Sequence, residues 1–317
     1  MKIRVSSGTA HVLGLKSVKS EVLPTTGYFL LGDKCLRSCR FCSRSAKSHS
    51  GADFLSRVTW PAFELNKILE SLPDAYVQKR LFRVCLQVVH DPRAAKAAKE
   101  VIVKIKQKCS IPVSASCYVS DLEDLRSWFK SGADRVGLAL DAANERVFKQ
   151  IKCGSFEKNI NFLRQAAKLY PQRISTHFIV GLGETDRELI YRIQEMLDLG
   201  ITVGLFAFTP VRGTEMENVP QPGLKRYRRI QVAHYLLRNG YKRAEDLGYT
   251  QEGELRDFDY CSAELFALLR NGEPFQTTGC AMCNRPFYNE RPGGAIYNFA
   301  RQLSTAEVHE ALQCLNS

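Results

Sequence analysis

Short apolar runs alternate with amphipathic stretches along most of this chain, and that alternation restricts the possible folds more than any other feature. The runs Tyr28–Gly32, Phe82–Val89, Val113–Val119, Arg135–Leu140, Ile174–Val180 and Thr202–Phe208 read as strands. Helical periodicity predicts helices over Pro61–Leu72, Arg93–Lys108, Asp121–Ser131, Phe156–Leu169, Asp186–Leu199 and Leu224–Arg238. Ser120 or Asp121 is suited to start one helix, and Gly132 and Gly200 to stop two others. Six β–α units with short connections imply a parallel sheet, because each return crossover needs a helix. Several of the runs are apolar on both faces, as in a sheet covered on both sides. A partial (β/α)6 parallel barrel is the better fit, with an open doubly wound sheet as its rival. Either would gather functional groups at the C-terminal ends of the strands.

The 317 residues suffice for one large domain or a domain with an appendage. Periodicity divides them into an N-terminal extension (1–24), the β/α region (25–240) and a less regular C-terminal extension (241–317) that carries cysteines. Apolar residues at 44% and charged residues at 25% allow a full core and exclude wholesale disorder. No apolar run approaches the ~20 residues that cross a bilayer, and Met1–Lys16 holds no secretory signal. A soluble, cytoplasmic protein with no membrane partner is expected. The net charge of +12 fits a solvated basic surface or an acidic partner. Its one local concentration, Lys225–Arg229, comes without a recognisable nucleic-acid module. Eleven cysteines, an odd number, argue against a disulfide framework in a reducing compartment and for metal or cluster ligation.

The densest motif follows the first predicted strand: Gly32-Asp-Lys-Cys35-Leu-Arg-Ser-Cys39-Arg-Phe-Cys42-Ser. Spacings of three and two let one loop wrap three corners of a [4Fe–4S] cluster. The fourth iron then stays open to a chelating ligand such as the amino and carboxylate groups of S-adenosylmethionine (SAM). An electron passed from the cluster into the sulfonium would break a C–S bond and release a 5′-deoxyadenosyl radical, able to take hydrogen from an unactivated carbon. Structural zinc, the competing explanation, wants four ligands in two short-spaced pairs.

CxxxCxxC with an aromatic residue before its third cysteine, here Phe41, resembles the radical SAM superfamily. The resemblance spans about residues 25–240 and implies a partial β/α barrel with Phe41 near the adenine. Three further stretches are similar to the biotin synthase branch: Val84-Cys85 through Asp91-Pro92, Ser114-Ala-Ser-Cys117, and Ile179-Val-Gly181-Leu-Gly183-Glu184. That similarity implies that Asp141 contacts the SAM ribose, that Gly181, Gly183 and Glu184 shape the SAM pocket, and that Cys85 and Cys117 bind an auxiliary Fe–S cluster that donates sulfur. Biotin synthase has a further cysteine on its fifth strand, where this chain has Ser175, and its arginine ligand has no clear counterpart here.

A second cysteine motif, Cys280-Ala-Met-Cys283-Asn-Arg-Pro-Phe-Tyr-Asn-Glu-Arg-Pro-Gly-Gly294, places two thiolates on one metal or cluster. No second CxxC completes a zinc ribbon, and the economical reading sends Cys280 and Cys283 back into the barrel to replace the missing ligands. The stretch resembles the two-component lipoyl synthases, paired radical SAM proteins of the same branch. That resemblance implies sulfur insertion into the octanoyl chain of a carrier protein (a lipoyl domain or a glycine cleavage H-type protein), a paired radical SAM subunit, and a ferredoxin or flavodoxin as electron donor. Arg285 and Arg291 are candidates to support the auxiliary cluster or bind substrate, and Pro292–Gly294 reads as a turn. The alternatives are biotin synthase, a hydrogenase-cofactor maturase, an RNA-modifying radical enzyme and a zinc-binding protein without catalysis.

Overall fold

The computed structural model describes every residue except Ala52, Arg291, Pro292 and Ser317. The expectations for Arg291 and Pro292 lie outside the described residues.

Eight strands make the central sheet: β1 (Lys2–Val5), β2 (Thr26–Leu31), β3 (Ala62–Glu64), β4 (Arg83–Val88), β5 (Val113–Ser116), β6 (Arg135–Gly137), β7 (Ile174–Val180) and β8 (Thr202–Ala207). Their order is β8-β7-β6-β5-β4-β2-β1-β3. From β2 through β8 every neighbouring pair is parallel, which gives the six-stranded partial barrel. At the other edge β1 runs antiparallel to both β2 and β3. The segment before residue 25 thus contributes a strand to the sheet. β3 occupies the first residues of a predicted helix, because β1 offers Ala62–Glu64 a ladder of hydrogen bonds.

The connecting helices cover the outer face: α1 (Leu65–Val77), α2 (Pro92–Lys108), α3 (Leu122–Lys130), α4 (Glu145–Ile151), α5 (Phe156–Leu169), α6 (Asp186–Asp198) and α7 (Leu224–Arg238). Local chemistry sets their ends. Asp91 caps α2 by accepting from the Arg93 N–H at 2.7 Å, with Pro92 opening the helix where its missing N–H costs nothing. Asp121 caps α3 through the Asp124 N–H, and Thr185 and Glu188 cap α6 reciprocally. The short α4 escapes the periodicity analysis, and Asn144 starts it by accepting from the Val147 N–H.

Side-chain alternation divides the sheet. Val84 and Leu86 of β4, Val113 and Ala115 of β5 and Phe178 of β7 pack outward into the main core with Ile102, Trp128 and Phe148 of the helices. The inward positions are largely polar: Arg83, Cys85, Gln87, Ser114, Ser116 and His177. The interior is therefore not the two-sided apolar sheet that the sequence suggests.

After α7 the chain passes a short hairpin and a helix, and residues 277–290 cross the open side of the barrel. At one end the Leu205 N–H donates to Thr278 Oγ1 and Asn289 Nδ2 to the Ala207 carbonyl, both on β8. Farther along, Thr25, just before β2, donates its hydroxyl to the Met282 carbonyl and its N–H to Asn284 Oδ1. The segment bridges β8 and the start of β2. A last helix, α8 (Thr305–Asn316), packs on α7. Among the described residues no helix is long and apolar enough to cross a membrane.

Candidate metal and cofactor site

The cysteine loop leaves β2 through Gly32, whose φ of +87° is left-handed; a Cβ there would stand 2.2 Å from Val89 Cγ2. Backbone bonds then fold the loop over the strand ends: Cys35 N–H to the Arg44 carbonyl, Leu36 N–H to that of His90, and Arg40 N–H to that of Ile151 at the end of α4. Cys35 and Cys42 each accept an N–H at 3.4 Å, from Arg37 and Arg44. Such N–H···S contacts stabilise thiolate ligands.

All three thiols border one cavity of about 320 Å3 at the C-terminal ends of the strands. Burial pushes the Cys39 thiol up to about 12, with Lys152 opposing, and Cys42 up to about 11, with the Arg44 N–H opposing. Metal binding there must displace protons, as thiolate ligation does generally. Thiols on one loop, N–H donors on sulfur and an adjoining cavity suit a cluster with one open iron. Among the described residues no three His, Cys, Asp or Glu side chains close around a single metal ion.

Phe41 and Asp141 line the same cavity. Asp141 follows β6 with a φ of +65° and is 5% exposed. Its carboxylate takes Lys152 Nζ at 2.6 Å and His177 Nε2 at 2.7 Å. Burial alone would raise its pKa, but Lys152 and His177 outweigh burial and hold the carboxyl well below the usual carboxylate range. Lys152 also donates to the Ala139 carbonyl at 2.7 Å. It sits just past α4, the helix that periodicity did not reveal, so no pattern in the sequence pointed to it.

Gly181, Gly183 and Glu184 do not line the cavity. The Glu184 carboxylate folds back to accept the Gly181 and Leu182 N–H groups at 2.8 and 2.9 Å and takes Arg226 at 3.1 Å. Its oxygens are spent on the loop after β7, whose glycines adopt φ of +100° and +110°.

A second thiol group lies deeper in the barrel. The bridging segment brings Cys280 and Cys283 to Cys85 on β4, and Cys85 and Cys283 pack on one inner cluster with Tyr28. Tyr28 Oη stands 3.3 Å from Cys283 Sγ, Ser114 Oγ 4.0 Å from Cys280 Sγ, and Gln87 Nε2 3.1 Å from Cys85 Sγ. Burial pushes Cys85 up to about 12, and Cys283 and Cys280 add to the rise. Cys117 stands apart. It follows the end of β5, joins the main core, and has Asp124 and Lys99 as its leading charged neighbours, with Cys85 after them, while also lining the rim cavity. The register neighbour of Cys85 on β5 is Ser114, so the interior place expected for Cys117 is held by a serine. Tyr28, Arg83, Ser114 and Arg135 were not singled out from the sequence. Their inward position on the strands around Cys85 was the available signal.

Comparison with known proteins agrees with this geometry. The chain is 29% identical over 192 residues to a mitochondrial lipoyl synthase of Lachancea thermotolerans, a match covering 57% of this chain and 48% of that protein. Against a mitochondrial lipoyl synthase of Drosophila mojavensis it is 24% identical over 257 residues, covering 76% and 64%. The chain spans about half the length of most of these curated relatives. Among solved structures it is similar to the FeFe-hydrogenase maturase HydG from Carboxydothermus hydrogenoformans (TM-score 0.54, 17% identity, 91% of this chain and 65% of that one). It is also similar to methylornithine synthase (TM-score 0.53, 15% identity, 74% and 77%); at these identities the likeness concerns the fold. Residues 29–196, from the middle of β2 through most of α6 and including the whole cysteine loop, match the radical SAM superfamily, and the chain belongs to that superfamily.

Proposed function

We propose that this chain is a sulfur-inserting radical SAM enzyme, a lipoyl synthase subunit that acts on the octanoyl chain of a carrier protein. The observation that supports the reading is the presence of two sets of thiols in one barrel interior, Cys35, Cys39 and Cys42 on the rim cavity and Cys85 with Cys280 and Cys283, the sets adjoining where Cys35, Cys85 and Cys283 pack on one inner cluster. Superfamily membership implies a [4Fe–4S] cluster and SAM for the first group. Together they supply a radical that takes hydrogen from unactivated carbon, which acid–base catalysis cannot do.

The chain's own residues position and shield. Cys35, Cys39 and Cys42 hold the rim cluster through thiolates. Asp141, fixed by Lys152 and His177, offers its remaining lone pairs to the ribose hydroxyls, and Phe41 walls the adenine side. Gly181, Gly183 and Glu184 act at one remove, by fixing the loop after β7. Leu30, Val88, Leu138, Phe206 and Phe208 line the cavity, give an acyl chain an apolar path and exclude water. Cys85, Cys280 and Cys283 hold the auxiliary cluster as sulfur source, and Cys117 serves in packing. The barrel (25–240) and the C-terminal extension (241–317) act as one unit through the bridging segment. A charge of +12 suits the approach of an acidic carrier. A paired radical SAM subunit and a ferredoxin or flavodoxin complete the reading, in the cytoplasm.

Iron and sulfide quantification, with mass spectrometry of an octanoylated peptide after anaerobic turnover, tests this. Cys35→Ala is expected to abolish reductive SAM cleavage, whereas Cys283→Ala keeps cleavage and loses sulfur insertion. Normal sulfur transfer by Cys283→Ala would remove the auxiliary cluster from the reading.

A further inference from the structure

The floor of the barrel combines thiols and guanidinium groups in a way that neither core packing nor the rim site explains. Register aligns Tyr28, Cys85, Ser114 and Arg135 on four consecutive strands, β2, β4, β5 and β6, about 4.8 Å apart. Arg83 lies two residues before Cys85 on the same inward face. It donates to Ser114 Oγ at 2.7 Å and to the Ala281 carbonyl, between the two tail cysteines, at 3.1 Å. Its Nε is buried and without a partner. Arg135 reaches the Ile174 carbonyl at 3.2 Å and the Thr202 hydroxyl, with Cys280 foremost among the charges around it. Arg285 comes from the bridging segment, donates to the Thr278 carbonyl at 2.7 Å and stacks 4.0 Å over Phe206. Cys283 leads the charges around it.

These hydrogen bonds go to carbonyl and hydroxyl oxygens. Among the described residues no carboxylate pairs with any of the three. Lys152, by contrast, has Asp141, and Arg226 has Glu184 and Asp186; Arg228 is buried on Gln231 and carbonyl oxygens alone, but it stands singly and not in a group of three. Gathering three guanidiniums around three neutral thiols leaves like charges uncompensated at a half-buried place, a cost that a bound anion would relieve. An oxidised four-iron core on three thiolates is such an anion, and reduction adds a second negative charge.

We infer that Arg83, Arg135 and Arg285 form a cationic cage that makes the barrel floor a site for an anionic iron–sulfur cluster held by Cys85, Cys280 and Cys283; this rests on the sulfur-donating reading above. The cage acts on the cluster in two ways. It retains the cluster by charge balance, and it raises the reduction potential, since net charge and hydrogen bonding around the sulfurs set that potential. Tyr28 has a separate duty. Its oxygen already accepts the Arg285 N–H at 3.0 Å, which leaves its proton for Cys283 sulfur.

The test uses the full chain with Cys35, Cys39 and Cys42 all changed to Ala, so that iron can remain only at the floor. After anaerobic reconstitution, iron per chain, the rate at which a chelator strips it, and the midpoint potential by EPR-monitored titration are compared for Arg83→Met, Arg135→Met and Arg285→Met. Each Met variant is expected to lose iron roughly tenfold faster and to show a more negative midpoint, and the matching Lys variant to return toward the parent. Gln replaces Met at any position where circular dichroism shows that Met does not fold. If the parent holds iron and the neutral variants match it in both readouts, the cage is wrong while the sulfur-donor reading stands. If the parent holds no iron, the sulfur-donor reading falls and the cage with it.

Discussion

Replacing Lys152 with Met should expose how the cavity-lining carboxylate is held. Lys152 and Asp141 are 8% and 6% exposed at their side chains, so little water remains to soften the loss. In the wild type the ammonium meets Asp141 Oδ2 at 2.6 Å and the Ala139 carbonyl at 2.7 Å. Removing one partner of a buried pair costs about 3–5 kcal/mol, because the other is left charged. His177, 2.7 Å away, still compensates in part, which argues for about 3 kcal/mol. The left-handed backbone of Asp141 adds ~1 kcal/mol of strain that the ion pair helps to hold. The double variant Lys152→Met/Asp141→Asn removes the stranded charge while keeping a side chain that tolerates φ > 0, and it should recover more than half the loss. Urea unfolding of the metal-free chain, read as a midpoint shift at constant m-value, supplies the numbers. The sign with pH follows from Asp141. Its folded pKa is depressed, so its contribution is fully present above the unfolded value of about 3.9 and is lost progressively as pH falls from there toward the lower folded value. The gap between wild type and Lys152→Met should therefore be widest near neutrality and narrow below pH ~4. A cost under ~1 kcal/mol, or a strictly additive double variant, would refute the argument.

Three further outcomes are expected. Gly32→Ala should lower iron bound at the rim and destabilise the chain by roughly 2 kcal/mol or more, since its Cβ would meet Val89 and Ala94 at 2.2 and 2.9 Å in a left-handed backbone; unchanged iron content would count against the loop geometry. His234 is buried with neither ring nitrogen hydrogen-bonded, and burial depresses its pKa to about 3. The unfolded chain thus takes up a proton near pH 6.5 that the folded one refuses, and stability drops by about 1.4 kcal/mol per unit as pH falls from ~6.5 toward 3. His234→Leu should be about 2 kcal/mol less sensitive than wild type between pH 7 and pH 5 in urea unfolding, and equal slopes would show the reasoning mistaken. Cys85→Ser should reduce iron per chain, whereas Cys117→Ser should leave iron intact and cost only stability; the reverse pattern would sink the division of these two cysteines.

The six parallel strands were legible because their apolar runs differ in period from the helices between them, and a cap such as Asp121 marks a boundary in the sequence itself. The rim thiols were legible because all three lie on one loop. What the sequence hid depends on register and on distant contacts. Cys117 falls one residue past the end of β5, so the strand position beside Cys85 goes to Ser114 and Cys117 reaches the rim cavity instead. Glu184 looks like a pocket residue until its oxygens are seen to be taken by Gly181 and Leu182. Lys152 acts through a carboxylate eleven positions earlier, and Arg83 through a tail almost two hundred residues later; no local pattern encodes either.

The segment that crosses from β8 to the start of β2 also imposes an order of events. Asn284 and Met282 must find Thr25, more than 250 positions earlier, and during synthesis they leave the ribosome after every strand of the barrel. The rim loop and Cys85 are already made while Cys280 and Cys283 have yet to appear. The two thiol sets are therefore completed in sequence: the rim loop can be finished first, and Cys280 and Cys283 join Cys85 only when the last part of the chain docks.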